Sequence, residues 1–144
     1  MSKKFVLGIV LVAIVAATVG CGSTAKAPAA PSSAGNDVIA SAFANRTSGV
    51  QVQSEGVVTS VLPDDNSGSR HQRFILQLAN GQTLLMAHNI DIAPRLPALA
   101  VCDVVAFNGQ YEWNSKGGTV HWTHRDPSGK HQAGWLRFKD QSYQ

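Results

Sequence analysis

The sequence is poor in cysteine, has little surplus of either charge, and contains no apolar run long enough to span a bilayer comfortably. Two cysteines, Cys21 and Cys102, are too few for a small disulfide-stapled scaffold, so a hydrophobic core has to supply the stability. The uncharged apolar stretch from Phe5 to Val19 falls short of the roughly 20 residues that a membrane span needs. Lysine and arginine number 12 against 9 acidic residues, and two of the lysines, Lys3 and Lys4, sit at the extreme N-terminus. If those two are removed with a leader, ten basic residues face nine acidic ones. The basic isoelectric point is then no argument for nucleic-acid binding, which needs clustered phosphate contacts.

What is present begins with an address. Lys3 and Lys4, the apolar stretch, and a small residue before Cys21 together describe an export signal over residues 1–20. The tetrapeptide TVGC resembles a bacterial lipobox, although Thr18 stands where leucine is usual. On this reading Cys21 is lipidated and begins the mature chain, which is anchored in the cell envelope. Gly22, in place of aspartate, directs it to the outer membrane. The competing reading is an ordinary signal peptide or a single anchor helix. With Cys21 acylated, Cys102 would lack a partner within the chain and is expected to be an inert buried thiol in the apolar run ALAVCDVVAF.

Residues 21–35, rich in Ala, Ser and Pro, cannot bury enough apolar surface to fold and read as a flexible tether. Asn36 or Asp37 could cap a short helix within 36–48, where Val38, Ile39, Ala42 and Phe43 share one face. Residues 49–144 then read as strands. GVVTSVLPDD alternates and is stopped by Pro63. HQRFILQL and QTLLMAH flank Asn80-Gly81, a strong short-range hairpin signal. VCDVVAFNGQYEW reads as a long strand, TVHWTH as another, and WLRFKD as a short last one. The order predicts a mostly β domain, a small five-stranded barrel like those that bind oligonucleotides and oligosaccharides. An SH3-like barrel or an open meander competes with it.

Five histidines fall between His71 and His131, three of them in the run HWTHRDPSGKH. Imidazole binds metals, moves protons near neutral pH and stacks on bases. His121, His124, Asp126 and His131 are candidates for catalysis and for ligating a divalent metal, since neutral imidazole and carboxylate both suit such ions. On a continuous strand His121 and His124 would point to opposite faces, so they converge only if the strand ends or bulges between them. No H-E-x-x-H motif is present. Two-histidine phosphoesterases need two H-x-T motifs, and His121-Trp122-Thr123 stands alone. Candidate ligand-binding residues are His71, Arg73, His88, Arg95, Trp122 and Arg125, with Arg73 or Arg125 placed to counter charge developing on a phosphodiester. Asp91 is expected to bond the loop backbone, Asp103 a turn, and Arg95 to pair with one of them. Trp113, Trp122 and Trp135 with Tyr111 could form a stacking platform or simply belong to the core. For any single histidine, a backbone bond at a strand end is the bland alternative.

The segment HQRFILQLANGQTLLMAHNIDIAPR, followed by DVVAFNGQYEWN, KGG, HWTHRDP and H-x-x-G-W, resembles a family of small exported bacterial proteins, domain of unknown function 3465. The resemblance implies an exported, compact β domain and points to no established reaction. Two functions are therefore expected to compete. One is a module binding a nucleotide, oligonucleotide or sugar on a face of histidines and aromatics. The other is a histidine- or metal-dependent hydrolase of phosphodiesters.

Overall fold

The computed structural model describes residues 33–144. The leader over 1–20, the lipidation site Cys21 and nearly all of the tether lie outside them. One helix, α1 (Ser33–Ala44), precedes seven strands: β1 (Val50–Asp65), β2 (His71–Gln77), β3 (Thr83–Asn89), β4 (Val104–Glu112), β5 (Thr119–His121), β6 (Trp135–Phe138) and β7 (Gln141–Tyr143). The helix begins earlier than the sequence suggested and takes in Ser33–Gly35. Asn36 is therefore no cap. It is buried within the helix and accepts a 2.6 Å hydrogen bond from the Ser54 hydroxyl.

Five strands close into a ring, in the order β1-β2-β3-β5-β4 and back to β1. Every contact in it is antiparallel except β3 with β5, which run parallel. β6 extends β4 beyond β5, and β7 pairs with β6. The length of β1 makes closure work, since its first half pairs with β4 and its second half with β2. Pro63 does not stop β1 as expected. It falls within a register shift between Leu62 and Asp65, where no ladder N–H is required of it.

Strict alternation on β2, β3 and β4 sends Phe74, Leu76, Leu84, Met86, Val105, Phe107 and Tyr111 into the ring, all fully buried. Burial of each such side chain stabilises the fold by about 1.5–3 kcal/mol. Ile39 and Ala42 of α1 join that core. Two inward polar side chains close one end of it. Gln72 exchanges hydrogen bonds with the Leu96 backbone (2.9 and 3.1 Å), and His88 bonds the Pro94 carbonyl (3.0 Å). Residues 90–103 are thereby strapped across the end of the ring.

Two local readings are corrected. The hairpin at Asn80-Gly81 is not one of them: it forms as read, with a three-residue loop, Leu78 and Gln82 bonded across it and Gly81 at φ 86°. Val101 and Cys102 form an exposed turn before β4 and not its first residues. Cys102, at φ 74°, is disulfide-bonded, so neither its expected burial nor its lack of a partner holds. Among the described residues no helix is long and apolar enough to cross a membrane.

Candidate functional site

β5 ends at His121 because Trp122 takes a left-handed conformation (φ 50°). A bulky residue seldom adopts this backbone, and here surrounding contacts hold it there. The reversal is what the sequence required for His121 and His124 to approach each other. After it, residues 122–134 leave the ring and fold back over its outer face. Two buried contacts pin the segment. The Thr123 hydroxyl bonds His88 Nδ1 at 2.8 Å, and Gly134 N donates to the His124 carbonyl at 2.8 Å.

The rings of this segment form a ladder. The indole of Trp122 lies between His121 (centroids 4.7 Å apart, planes 27° apart) and His131 (4.4 Å, 15°). His124 meets His131 edge-on at 5.0 Å. His121 and His131 thus both stack on Trp122, which still lines the neighbouring cleft. The wider aromatic platform is not formed. Tyr111 is buried, Trp113 donates to the Phe43 carbonyl beside α1, and Trp135 lies under Arg137 on β6.

A cleft of about 380 Å³ opens beside the ladder, and His71, Trp122, His124, Asp126 and His131 all line it. Ser69, Asn89 and Lys130, which the sequence did not single out, line it too. Three of its histidines are held alike. His71 Nδ1 bonds the Ser69 carbonyl (2.8 Å), His124 Nδ1 the Arg125 carbonyl (2.7 Å), and His131 Nδ1 the Gln132 carbonyl (2.8 Å). A carbonyl only accepts, so Nδ1 carries the hydrogen in each, and Nε2 is left for chemistry.

Asp126 is committed elsewhere. Its carboxylate accepts from the Ser128 hydroxyl (2.6 Å), the Ser128 amide (2.9 Å) and the His131 amide (2.7 Å), with His131 Nε2 3.9 Å away. The Ser128 hydroxyl bond, working against burial and joined by backbone amides, holds its pKa well below the usual carboxylate range. It shapes the turn and is unsuited to proton transfer. The expected metal site is not assembled. Among the described residues no three His, Cys, Asp or Glu side chains are placed to ligate one ion, and Trp122 separates His121 from His131.

A second cleft of about 300 Å³ adjoins the first, with His71 lining both. Arg73, His121, Glu112 and Asp65 also line it, above Leu85 and Ala87. His121 Nε2 lies 3.4 Å from Glu112 Oε1. Burial lowers the His121 pKa, only partly offset by Glu112. Burial pushes Glu112 up, but hydrogen bonds from Gln110, Ser48 and His121 outweigh it and hold the carboxyl below its ordinary value. Glu112 was missed because its proximity to His121 exists only through β4–β5 pairing, where Gln110 faces His121 and Glu112 faces Thr119.

The remaining candidates are not in the clefts. His88 is fully buried, and both its ring nitrogens are bonded, to Thr123 and Pro94. Desolvation lowers its pKa to about 4, reinforced by the charges of His124 and His71. It supports the site from beneath. Arg95 is paired with Asp64, and not with Asp91 or Asp103. Asp91 holds Arg70 through both backbone and side chain, and Asp103 closes its turn onto Ala100 N, as expected of each. Arg125 is exposed, and only its carbonyl serves the site.

A family model described as "Protein of unknown function (DUF3465)" matches residues 23–144. No curated protein matches the chain.

Proposed function

The chain belongs to the DUF3465 family, and for a family whose description carries no activity we propose a binding module built on an OB-like barrel. Support for the barrel comes from strand order. The closed sequence β1-β2-β3-β5-β4, with β3 and β5 parallel, has the connectivity of a five-stranded oligonucleotide/oligosaccharide-binding fold. Its ligand is polar: a nucleotide, an oligonucleotide or a sugar. The observation that carries this reading is the His121–Trp122–His131 ladder beside two adjoining polar clefts on the outer face of β2, β3 and β5. Stacking offers binding to any planar ring, and the surrounding groups offer orientation.

Titration of mononucleotides, a short single-stranded oligonucleotide and an oligosaccharide against intrinsic tryptophan fluorescence tests it. The wild-type signal should saturate, and Trp122→Phe should remove most of it. If none of the three ligands produces a saturable change, the binding reading is lost.

One observation favours a hydrolase as the second reading. His124 and His131 stand edge to face with their Nδ1 atoms fixed on carbonyls, an arrangement in which one Nε2 could accept a proton while the other donates one. Turnover of a phosphodiester that disappears in His131→Asn would distinguish enzyme from binder.

We also propose an exported location in the cell envelope. The N-terminal leader and the disulfide at Cys102 both suit an oxidising compartment. Lipid anchoring at Cys21 is the alternative to an internal disulfide at Cys102, because the chain has only two cysteines. A Cys21 sulfur taken by a lipid is not available to a disulfide within the same chain.

A further inference from the structure

We propose that the larger cleft is a phosphoryl-group site. It would hold the phosphate of a hydroxyl-bearing ester between His71, His124, His131 and Lys130. The inference rests on the polar-ligand reading and narrows it to phosphate esters.

The cleft has hydrogen-bond donors left over. Each of the three imidazoles has spent Nδ1 on a main-chain carbonyl, and that bond fixes the ring as it faces the cleft. What remains at each is Nε2, which donates when the ring is protonated and accepts from a protonated phosphoryl oxygen when it is not. Lys130 adds an ammonium with no carboxylate paired to it among the described residues.

Among the described residues Asp126 is the one carboxylate lining this cleft. It keeps its charge, 3.9 Å from His131 Nε2, but its oxygens accept three short hydrogen bonds from its own turn. One carboxylate thus stands against three imidazoles and an ammonium. The neighbouring elements do not reverse the balance. At the rim, Arg70 and Asp91 are paired with each other at 2.7 Å. From β4 and β5, Glu112 and His121 face one another in the adjoining cleft. Below, His88 is held neutral by burial, and Arg125 points to solvent and adds to the positive field. An anion with several acceptor oxygens is the ligand that such a surplus of donors suits.

Across His71, the second cleft has a different character. Glu112 and Asp65 supply acceptors and Arg73 a donor, over the small apolar floor of Leu85 and Ala87. Groups of this kind suit the hydroxyls of a sugar ring. An ester whose phosphate lies on one side of His71 and whose sugar lies on the other would use both clefts at once.

The test is calorimetric titration of the full chain with sulfate, whose charge does not change across the range in which imidazole titrates, near pH 5.5 and pH 8. Binding should saturate at the lower pH and weaken roughly ten-fold or more at the higher, as protonated donors are lost. Lys130→Gln, at an exposed position, should weaken it about five-fold or more with an unchanged melting temperature. His124→Asn should do the same wherever it remains folded. A nucleoside 5′-monophosphate should bind about ten-fold more tightly than the bare nucleoside.

Sulfate binding that fails to saturate near pH 5.5, or that Lys130→Gln leaves untouched, overturns the proposal. Equal affinity for nucleoside and nucleotide would likewise overturn it, yet leave the polar-ligand reading standing. Absence of binding by sulfate, nucleoside and nucleotide, together with a silent oligosaccharide titration, would remove both.

Discussion

His88 Nδ1 accepts the hydroxyl hydrogen of Thr123 at 2.8 Å, while its Nε2–H is given to the Pro94 carbonyl at 3.0 Å. One buried imidazole thus ties two separate segments to β3, the strap over the end of the ring and the segment that carries the ladder. The pair works only while His88 is neutral, since a protonated Nδ1 could not accept.

That requirement gives the fold a pH dependence with a definite sign. His88 has a pKa of about 4 in the native state, against about 6.5 for an ordinary imidazole. Between those values the unfolded chain binds a proton that the folded chain refuses. Stability associated with His88 is therefore complete above about pH 6.5 and falls as the pH drops toward about 4. The loss should reach about 2 kcal/mol by pH 5 and be visible in urea titrations at pH 7 and pH 5. His88→Gln should be less stable at pH 7 and should lose less between the two conditions. An equal loss in both proteins would place the pH sensitivity elsewhere.

Trp122 offers an inverted test of backbone strain. Glycine ordinarily costs more than alanine because its unfolded chain is freer. At φ 50° alanine bears the left-handed penalty of about 1–2 kcal/mol and glycine does not. Trp122→Gly should therefore be the more stable of the two by about 1 kcal/mol, as read from chemical denaturation. Both should lose the fluorescence response to ligand.

Two glycines in the same segment should respond very differently to alanine. A Cβ at Gly134 would meet the Trp122 carbonyl at 2.2 Å and the Asn108 carbonyl at 2.5 Å, both rigid backbone. Gly134→Ala should destabilise by roughly 2–3 kcal/mol and displace the ladder, seen as lost histidine chemical-shift dispersion. A Cβ at Gly129 meets nothing within 4 Å, so only its φ of 67° counts against it. Gly129→Ala should cost about 1 kcal/mol and leave binding intact.

Intact-mass measurement of the mature chain decides the use of the two sulfurs. A diacylglycerol adduct on Cys21 should coincide with no disulfide inside the chain, and an internal disulfide with an unmodified Cys21. Finding an acyl adduct and an internal disulfide on one molecule would contradict this accounting of the thiols.

Much of the ring could be read from alternation, because β2, β3 and β4 each bury every second residue and Asn80-Gly81 marks a turn on its own. Of the two shortest elements, β7 escaped. β7 has three residues, and the turn before it is Lys139-Asp140, at φ 49° and 61°, a left-handed pair whose residue types do not announce it. Cys102 looked like strand interior because apolar neighbours surround it in sequence, whereas its positive φ is imposed by the turn onto Val58. At the site, the clustering of His121, His124 and His131 followed from their proximity in sequence once the strand ended at Trp122. The contributions of Glu112 and Asn89 depend on which strands become neighbours, and that is settled only on closure of the ring. His88 was legible as a histidine but not as a support, since its position facing inward depends on the register of β3.

The segment from Trp122 to Ala133 contributes no strand to the ring, yet both of its ends are fixed, at Thr123 by His88 and at Gly134 by the tight approach to Asn108. It behaves as a cassette: its interior could be exchanged, lengthened or charged differently while the ring closes as before. Changes there would act between two fixed anchors, with the cost in stability falling on a few contacts.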